Sequence, residues 1–151
     1  MKNNAREFKH QDITQQIIGV FFEVYNDLGH GFLESVYHNT FELALNFKGL
    51  DVKRKIDIPV WWRRHKVGKF ETDLLVNNCV LLELKACRCL DKAHEAQLLN
   101  YLRATDIEVG LLFNFGLKPE FKRLVFDNCR KQSTTPISLL DRLLHPDDGD
   151  L

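Results

Sequence analysis

Apolar residues recur along the chain with two periods, and the changes of period mark its elements. Ile13, Ile17, Ile18, Phe21, Val24, Tyr25 and Leu28 fall on one helical face, and Gly29 and Gly31 end that pattern. Asp12 and Gln15, three apart just before the run, read as a capping box. Leu33, Tyr37, Phe41, Ala44 and Leu45 predict a second helix ending near Gly49. Between residues 51 and 60 charged and apolar positions alternate, with Val52, Ile56 and Ile58 on the apolar side. That period of two predicts a half-exposed strand, and Pro59 puts its end at a sheet edge or a bulge.

Residues 66–76 and 80–85 predict two more strands around an Asn77-Asn78 turn. Val80-Leu81-Leu82-Glu83-Leu84 is apolar at all but one position, as expected of a central strand covered on both faces. Residues 91–103 read as a helix, 108–115 as a second continuous apolar strand and 121–126 as a last short one. The order α-α-β-β-β-α-β-β predicts one α/β domain with a mixed sheet over residues 1–130. From residue 131 onward Ser, Thr and Pro precede a short Leu-rich turn and an acidic tail, expected to be a mobile extension.

At 151 residues and 44% apolar, the chain can bury a single core, and eleven Phe with two Trp exclude a disordered polypeptide. No apolar run reaches the length of a membrane span, and the N-terminus lacks the apolar core of a signal peptide. Four cysteines in that context point to reduced thiols in the cytoplasm. Cys79, Cys87, Cys89 and Cys129 contain no C-x2-C pair, which excludes the common zinc and iron–sulfur spacings.

Formal charge is zero, from 21 basic and 21 acidic residues. Three of the acids (Asp147, Asp148, Asp150) lie in the last five positions, so the rest carries 21 basic against 18 acidic residues, or +3. A balanced chain does not coat DNA non-specifically, though it can carry local basic strips. Two exist: Lys53-Arg54-Lys55, and Arg63-Arg64-His65-Lys66 followed by Lys69. Solvated edge-strand charge is the simpler account of both. Trp61 and Trp62, beside Arg63 and Arg64, are a candidate partner or base-stacking surface, with core or edge packing the simpler account.

Three placements do not suit packing. Glu34 falls inside the apolar stripe of its own helix, where a buried carboxylate is costly unless paired or bound to a metal; a first-turn acid favoured by the helix dipole is the alternative. Asp73 stands in mid-strand, where Asp is disfavoured. Glu83 and Lys85 interrupt the central strand and, two apart, share a face. A salt bridge would account for either pair alone. An acid, then acid-x-Lys about ten residues on, closing a buried strand, is more specific. It offers two hard oxygen ligands and an ammonium at one point, which suits Mg²⁺ or Mn²⁺ acting on a phosphodiester.

Strand parity imposes a condition on that site. A two-residue loop at Asn77-Asn78 would send Asp73 and Glu83 to opposite faces, whereas a three-residue loop through Cys79 sets them opposite each other. A type I turn followed by Asn78 in the left-handed region has the required length. On the next helix Gln97 and Tyr101 are four apart, with His94 one turn earlier. This polar stripe is suited to orienting the site or touching a phosphate, and a solvated face is the plain alternative.

Gly31-Phe32-Leu33-Glu34-Ser35-Val36-Tyr37 resembles the signature of the GxxExxY proteins, grouped with the PD-(D/E)XK nuclease superfamily. The resemblance continues through Thr72-Asp73-Leu74-Leu75-Val76, Glu83-Leu84-Lys85, residues 94–102 and residues 110–116, and covers about residues 12–127. Thr72 stands where the superfamily often has Pro. The resemblance implies a restriction-endonuclease-like α/β core, with a mixed central sheet flanked by helices. It implies Asp73 and Glu83 as ligands of Mg²⁺ or Mn²⁺, with Glu34 contributing to the metal or its waters. Lys85 would orient the attacking water and stabilise developing charge, with Gln97 beside it. Tyr101, His94, Arg63 and Arg64 are candidate substrate contacts.

The activity so implied is metal-dependent hydrolysis of DNA, and less readily of RNA. The alternative is a non-catalytic module that binds nucleic acid or protein and keeps the nuclease fold. The intact Asp73, Glu83 and Lys85 favour the enzyme. Near-zero charge favours the module, or a nuclease that gains affinity as a homodimer or through a protein partner.

Overall fold

The computed structural model describes residues 8–131. Its elements are α1 (Gln11–Leu28), α2 (Glu34–Phe47), β1 (Val52–Trp62), β2 (His65–Val76), β3 (Val80–Lys85), α3 (Lys92–Arg103), β4 (Val109–Phe115) and β5 (Pro119–Val125). The 3-10 turn Asn128–Arg130 follows β5. The Leu-rich turn and acidic tail expected from the sequence lie outside the described residues.

The five strands lie in the order β1-β2-β3-β4-β5. Only β3 and β4 are parallel, and α3 makes the crossover between them. Every residue of β4 and the first five of β3 are buried, so the two apolar runs form the centre of the mixed sheet. One face carries α1 and α2: Ile17, Phe21, Tyr37, Phe41 and Leu45 pack on Leu82, Leu84, Phe113 and Phe115. The other carries α3, whose Leu98, Tyr101 and Leu102 pack with Ile58, Leu75, Leu81 and Leu112. Each such large side chain, fully buried, contributes roughly 1.5–3 kcal/mol.

The end of β1 and the start of β2 run past the expected ones, to Trp62 and back to His65. Pro59 sits on an edge strand, and the pairing shifts by one residue at Val60–Trp61, leaving Val67 as the extra residue. The capping box expected at Asp12 and Gln15 does not form. The helix begins one residue before Asp12, and His10, left-handed at φ 55°, is its N-cap without a side-chain bond. Asp12 therefore lies within the first turn, where its charge still favours the N-terminus. A capping box does form at α3, where Asp91 accepts from the backbone of His94 and His94 Nδ1 accepts from the N–H of Asp91.

Candidate active site

The β2–β3 hairpin has the odd loop that the acid cluster requires. Leu74 pairs with Leu82, Leu75 with Leu81 and Val76 with Val80, which leaves Asn77, Asn78 and Cys79 as the loop. Continuing the register sets Asp73 opposite Glu83. The turn itself differs from expectation: Asn77 and Asn78 are both left-handed, at φ 48° and 55°. That is a I′-like pair with Cys79 as the added residue, and Cys79 N–H donates to Val76 O at 3.0 Å. Asn tolerates this backbone better than most residues. Asn77 also exchanges bonds with the backbone of Asp51, tying the loop to the start of β1.

At Asp73 the ladder opens on both sides. On the β1 side the pairs Arg54–Leu74 and Ile56–Thr72 flank it, but Lys55, which stands opposite, is left-handed at φ 50°. For a Lys this conformation costs about 1–2 kcal/mol. The alternation of faces reverses across it: Arg54 bonds Asn39 and Glu42 of α2, whereas Ile56 packs in the α3 cluster. On the β3 side, side chains replace the backbone ladder. Leu84 N–H donates to Asp73 Oδ2 at 2.7 Å, and Glu83 Oε1 accepts from Asp73 N–H and Thr72 Oγ1, each at 3.2 Å. Thr72 thus supplies a buried hydroxyl that a Pro at this position could not.

The Asp73 carboxylate meets α2. Its Oδ2 lies 3.7 Å from His38 Nε2, which in turn is 3.4 Å from Glu34 Oε1. One ligand atom from each of Glu34, His38 and Asp73 lies within 4.8 Å of the other two. Sequence reasoning passed over His38. Its signal was the spacing Glu34-x3-His38 in one helical turn, which is common enough as an ordinary surface pair to carry little weight alone. Glu34 is not buried in the apolar stripe. Leu33 is the N-cap, extended at ψ 148°, so the helix starts at Glu34 and the stripe proper is Tyr37, Phe41 and Leu45. The Glu34 side chain is 50% exposed at the rim of the cluster.

Tyr37 explains the spacing of its motif. Its hydroxyl donates to Gly29 O at 2.6 Å and accepts from Phe32 N–H at 3.3 Å, and its ring stacks on Phe115 at 4.3 Å. It thereby pins the α1–α2 connection, in which Gly31 adopts φ 104°, and fixes where α2 and Glu34 begin.

Glu83 is 3% exposed. Burial pushes its carboxyl up to about 8, and the Asp73 charge pushes the same way; the Asp73 N–H, the Lys85 charge and the Thr72 hydroxyl oppose them. Lys85 Nζ donates to Gln97 Oε1 at 3.2 Å, and Gln97 Nε2 donates to Tyr101 Oη at 2.9 Å. Burial, followed by the Glu83 charge, pushes the Tyr101 phenol up to about 12, so it stays a neutral partner. Just past Lys85, buried Asn114 bonds both the N–H and the carbonyl of Cys87. A Cβ at Gly116 would lie 2.3 Å from Cys87 O, so only glycine admits this approach.

The structure thus brings Glu34, His38 and Asp73 into one cluster, sets Glu83 beside it through the Asp73 N–H but outside the clustered ligand atoms, and joins Lys85, Gln97 and Tyr101 in a hydrogen-bonded row. His94 uses its Nδ1 in the α3 cap. Arg63 and Arg64 form the far turn of the β1–β2 hairpin, away from the carboxylates.

The model of the PD-(D/E)XK nuclease superfamily matches residues 11–124, from the first turn of α1 into β5. The chain belongs to the PD-(D/E)XK nuclease superfamily. No curated protein and no solved structure matches it. Members of this nuclease superfamily generally use divalent metals, and the residues at the β2–β3 opening fit one. Two carboxylates and an imidazole converge there, and beside them burial and the Asp73 charge push the Glu83 carboxyl up, which a cation would offset. Among the described residues, no helix is long and apolar enough to cross a membrane.

Proposed function

We propose that this superfamily member is an active nuclease that hydrolyses phosphodiester bonds with Mn²⁺ or Mg²⁺, on DNA in preference to RNA. The observation that supports the reading is the opened β2–β3 register, where Glu83 bonds the backbone of Asp73 and Lys85, two residues on, bonds Gln97. Asp73, with Glu34 and His38 from α2, would hold the cation, and Glu83 beside Asp73 would complete the donor set. The cation supplies charge neutralisation at the scissile phosphate and a more acidic water. The imidazole in the donor set suits Mn²⁺ better than Mg²⁺.

Lys85 holds the attacking water by hydrogen bonding and places its positive charge where negative charge develops on the phosphate. Gln97, itself oriented by Tyr101, keeps the ammonium at the end of β3. The preference for DNA, like the finer likeness to GxxExxY proteins, rests on the resemblance of the motif blocks. The four free cysteines accord with a cytoplasmic setting.

Cleavage of labelled single-stranded, duplex, flapped and nicked DNA, and of RNA, in Mn²⁺ tests this reading. Cleavage that chelator abolishes, and that Lys85→Ala lowers by about a hundredfold or more, is the expected result. Metal binding without cleavage of any substrate would favour a non-catalytic nucleic-acid or protein interaction module.

A further inference from the structure

The β1–β2 hairpin is longer than the sheet needs. Its ladder runs from Val52–Val76 out to Trp62–His65, whereas β2 pairs with β3 only from Leu74 to Val76. Ile56, Ile58 and Phe70 still pack towards α3, with the Phe70 ring 5.1 Å from that of Tyr101. Beyond Gly68 the hairpin extends past that packing.

Three observations give this end its character. Residues 61–70 contain Arg63, Arg64, Lys66 and Lys69 and no acid, and of these Lys69 is paired with Asp57 across the ladder at 3.4 Å. In a chain of 21 basic and 21 acidic residues, that segment is +4 and everything else is −4. Among the described residues, Arg64 and Lys66 make no ion pair, and Arg63 lies over the Trp62 ring, 4.7 Å from its centroid, with Trp62 58% exposed. The two-residue turn is built from Arg63 and Arg64, both left-handed at φ 45° and 68°, where Asn-Gly is the favoured pair. Two arginines in that turn cost stability, so the charge at the tip is retained at the expense of the fold.

We propose that the end of this hairpin is a nucleic-acid-binding arm that grips the phosphate backbone to one side of the bond being cut. The proposal rests on the nuclease reading for its placement, because β2 joins the arm directly to Asp73. Asp73 lies eight residue steps along β2 from His65, a strand path of about 26 Å, or roughly eight base pairs of duplex. The basic charge meets phosphates, and the exposed Trp62 ring offers a stacking surface at the tip. It also accounts for how a chain of zero net charge could hold a polyanion.

The test uses Arg63→Asn with Arg64→Gly, which removes both charges while installing the favoured turn. Fluorescence anisotropy of a labelled 30-mer, single-stranded and duplex, is read against salt in Ca²⁺. Hydrolysis of bis(p-nitrophenyl) phosphate, too small to reach the arm, is read in Mn²⁺. We expect about a tenfold or larger loss of 30-mer affinity at low salt and a salt slope smaller by about two. Small-ester hydrolysis and melting temperature should not fall. Equal affinity and equal slope in the two proteins would overturn the arm whatever the ester assay gives. Loss of 30-mer binding without ester hydrolysis by either protein would support the arm and count against the nuclease reading. A wild type that binds no nucleic acid would overturn the arm.

Discussion

Replacing Glu83 by Gln removes one charge from the acid cluster while keeping an oxygen to accept from Thr72 Oγ1 and Asp73 N–H. In the folded protein without metal, this carboxyl titrates near 8 instead of its ordinary 4.5. A raised value means that the folded state binds the proton more tightly than the unfolded state does. The stabilisation is therefore complete below about pH 4.5, declines as pH rises, and is gone once pH has passed through about 8.

At about 1.4 kcal/mol per pH unit, the interval from 4.5 to about 8 corresponds to about 5 kcal/mol. Asp73 beside it is partly exposed, and water entry from that side raises the local dielectric, so about 2–3 kcal/mol is the expected loss. The Gln side chain does not titrate. In urea unfolding with chelator, Glu83→Gln should exceed wild type by about 2–3 kcal/mol at pH 9 and match it within about 1 kcal/mol at pH 5. Millimolar Mn²⁺ should restore wild type at pH 8 and help the variant far less. Parallel pH profiles for the two proteins, or a variant weaker than wild type at pH 9, would refute the reasoning.

Tyr37→Phe leaves the Phe32 N–H and the Gly29 carbonyl without their shared partner, and should lower stability by about 1–2 kcal/mol in urea unfolding. Because the hydroxyl fixes where α2 begins, Mn²⁺ affinity should weaken as well, measured by titration under conditions where the variant is fully folded. His38→Ala should weaken Mn²⁺ more than Mg²⁺, by about tenfold or more, since imidazole suits the softer ion. Unchanged affinity for both ions in parallel titrations would remove His38 from the donor set, and equal losses would refute the preference for Mn²⁺.

The element order was legible because β3 and β4 are almost wholly apolar and the three helices carry one apolar face each. Loop parity set the condition under which Asp73 and Glu83 could meet, and the three-residue loop Asn77-Asn78-Cys79 meets it. What escaped was the reversal of faces at Lys55. Nothing about a Lys announces a left-handed backbone, as Gly or Asn would, yet that residue lets the ladder open and the Asp73 carboxylate meet α2. His38 escaped for the related reason that its partner in the cluster comes from a distant strand. Of the two readings of Glu34, the first-turn acid holds and burial in the stripe does not, because Leu33 is extended and the helix starts one residue later. The arm was visible as a basic strip, but its reach beyond β3 depends on where each ladder stops, which strand periodicity does not encode.

Hydrolysis of the proposed kind requires a divalent cation held at the opened β2–β3 register. Calorimetric titration of Mn²⁺ into wild type and into Asp73→Asn, at pH 8 and with each protein shown to be folded, tests it most directly. The result expected is a single saturable site with proton release in wild type, and at least tenfold weaker binding in the variant. Equal binding by the two proteins, or no binding by wild type at millimolar Mn²⁺, would contradict it.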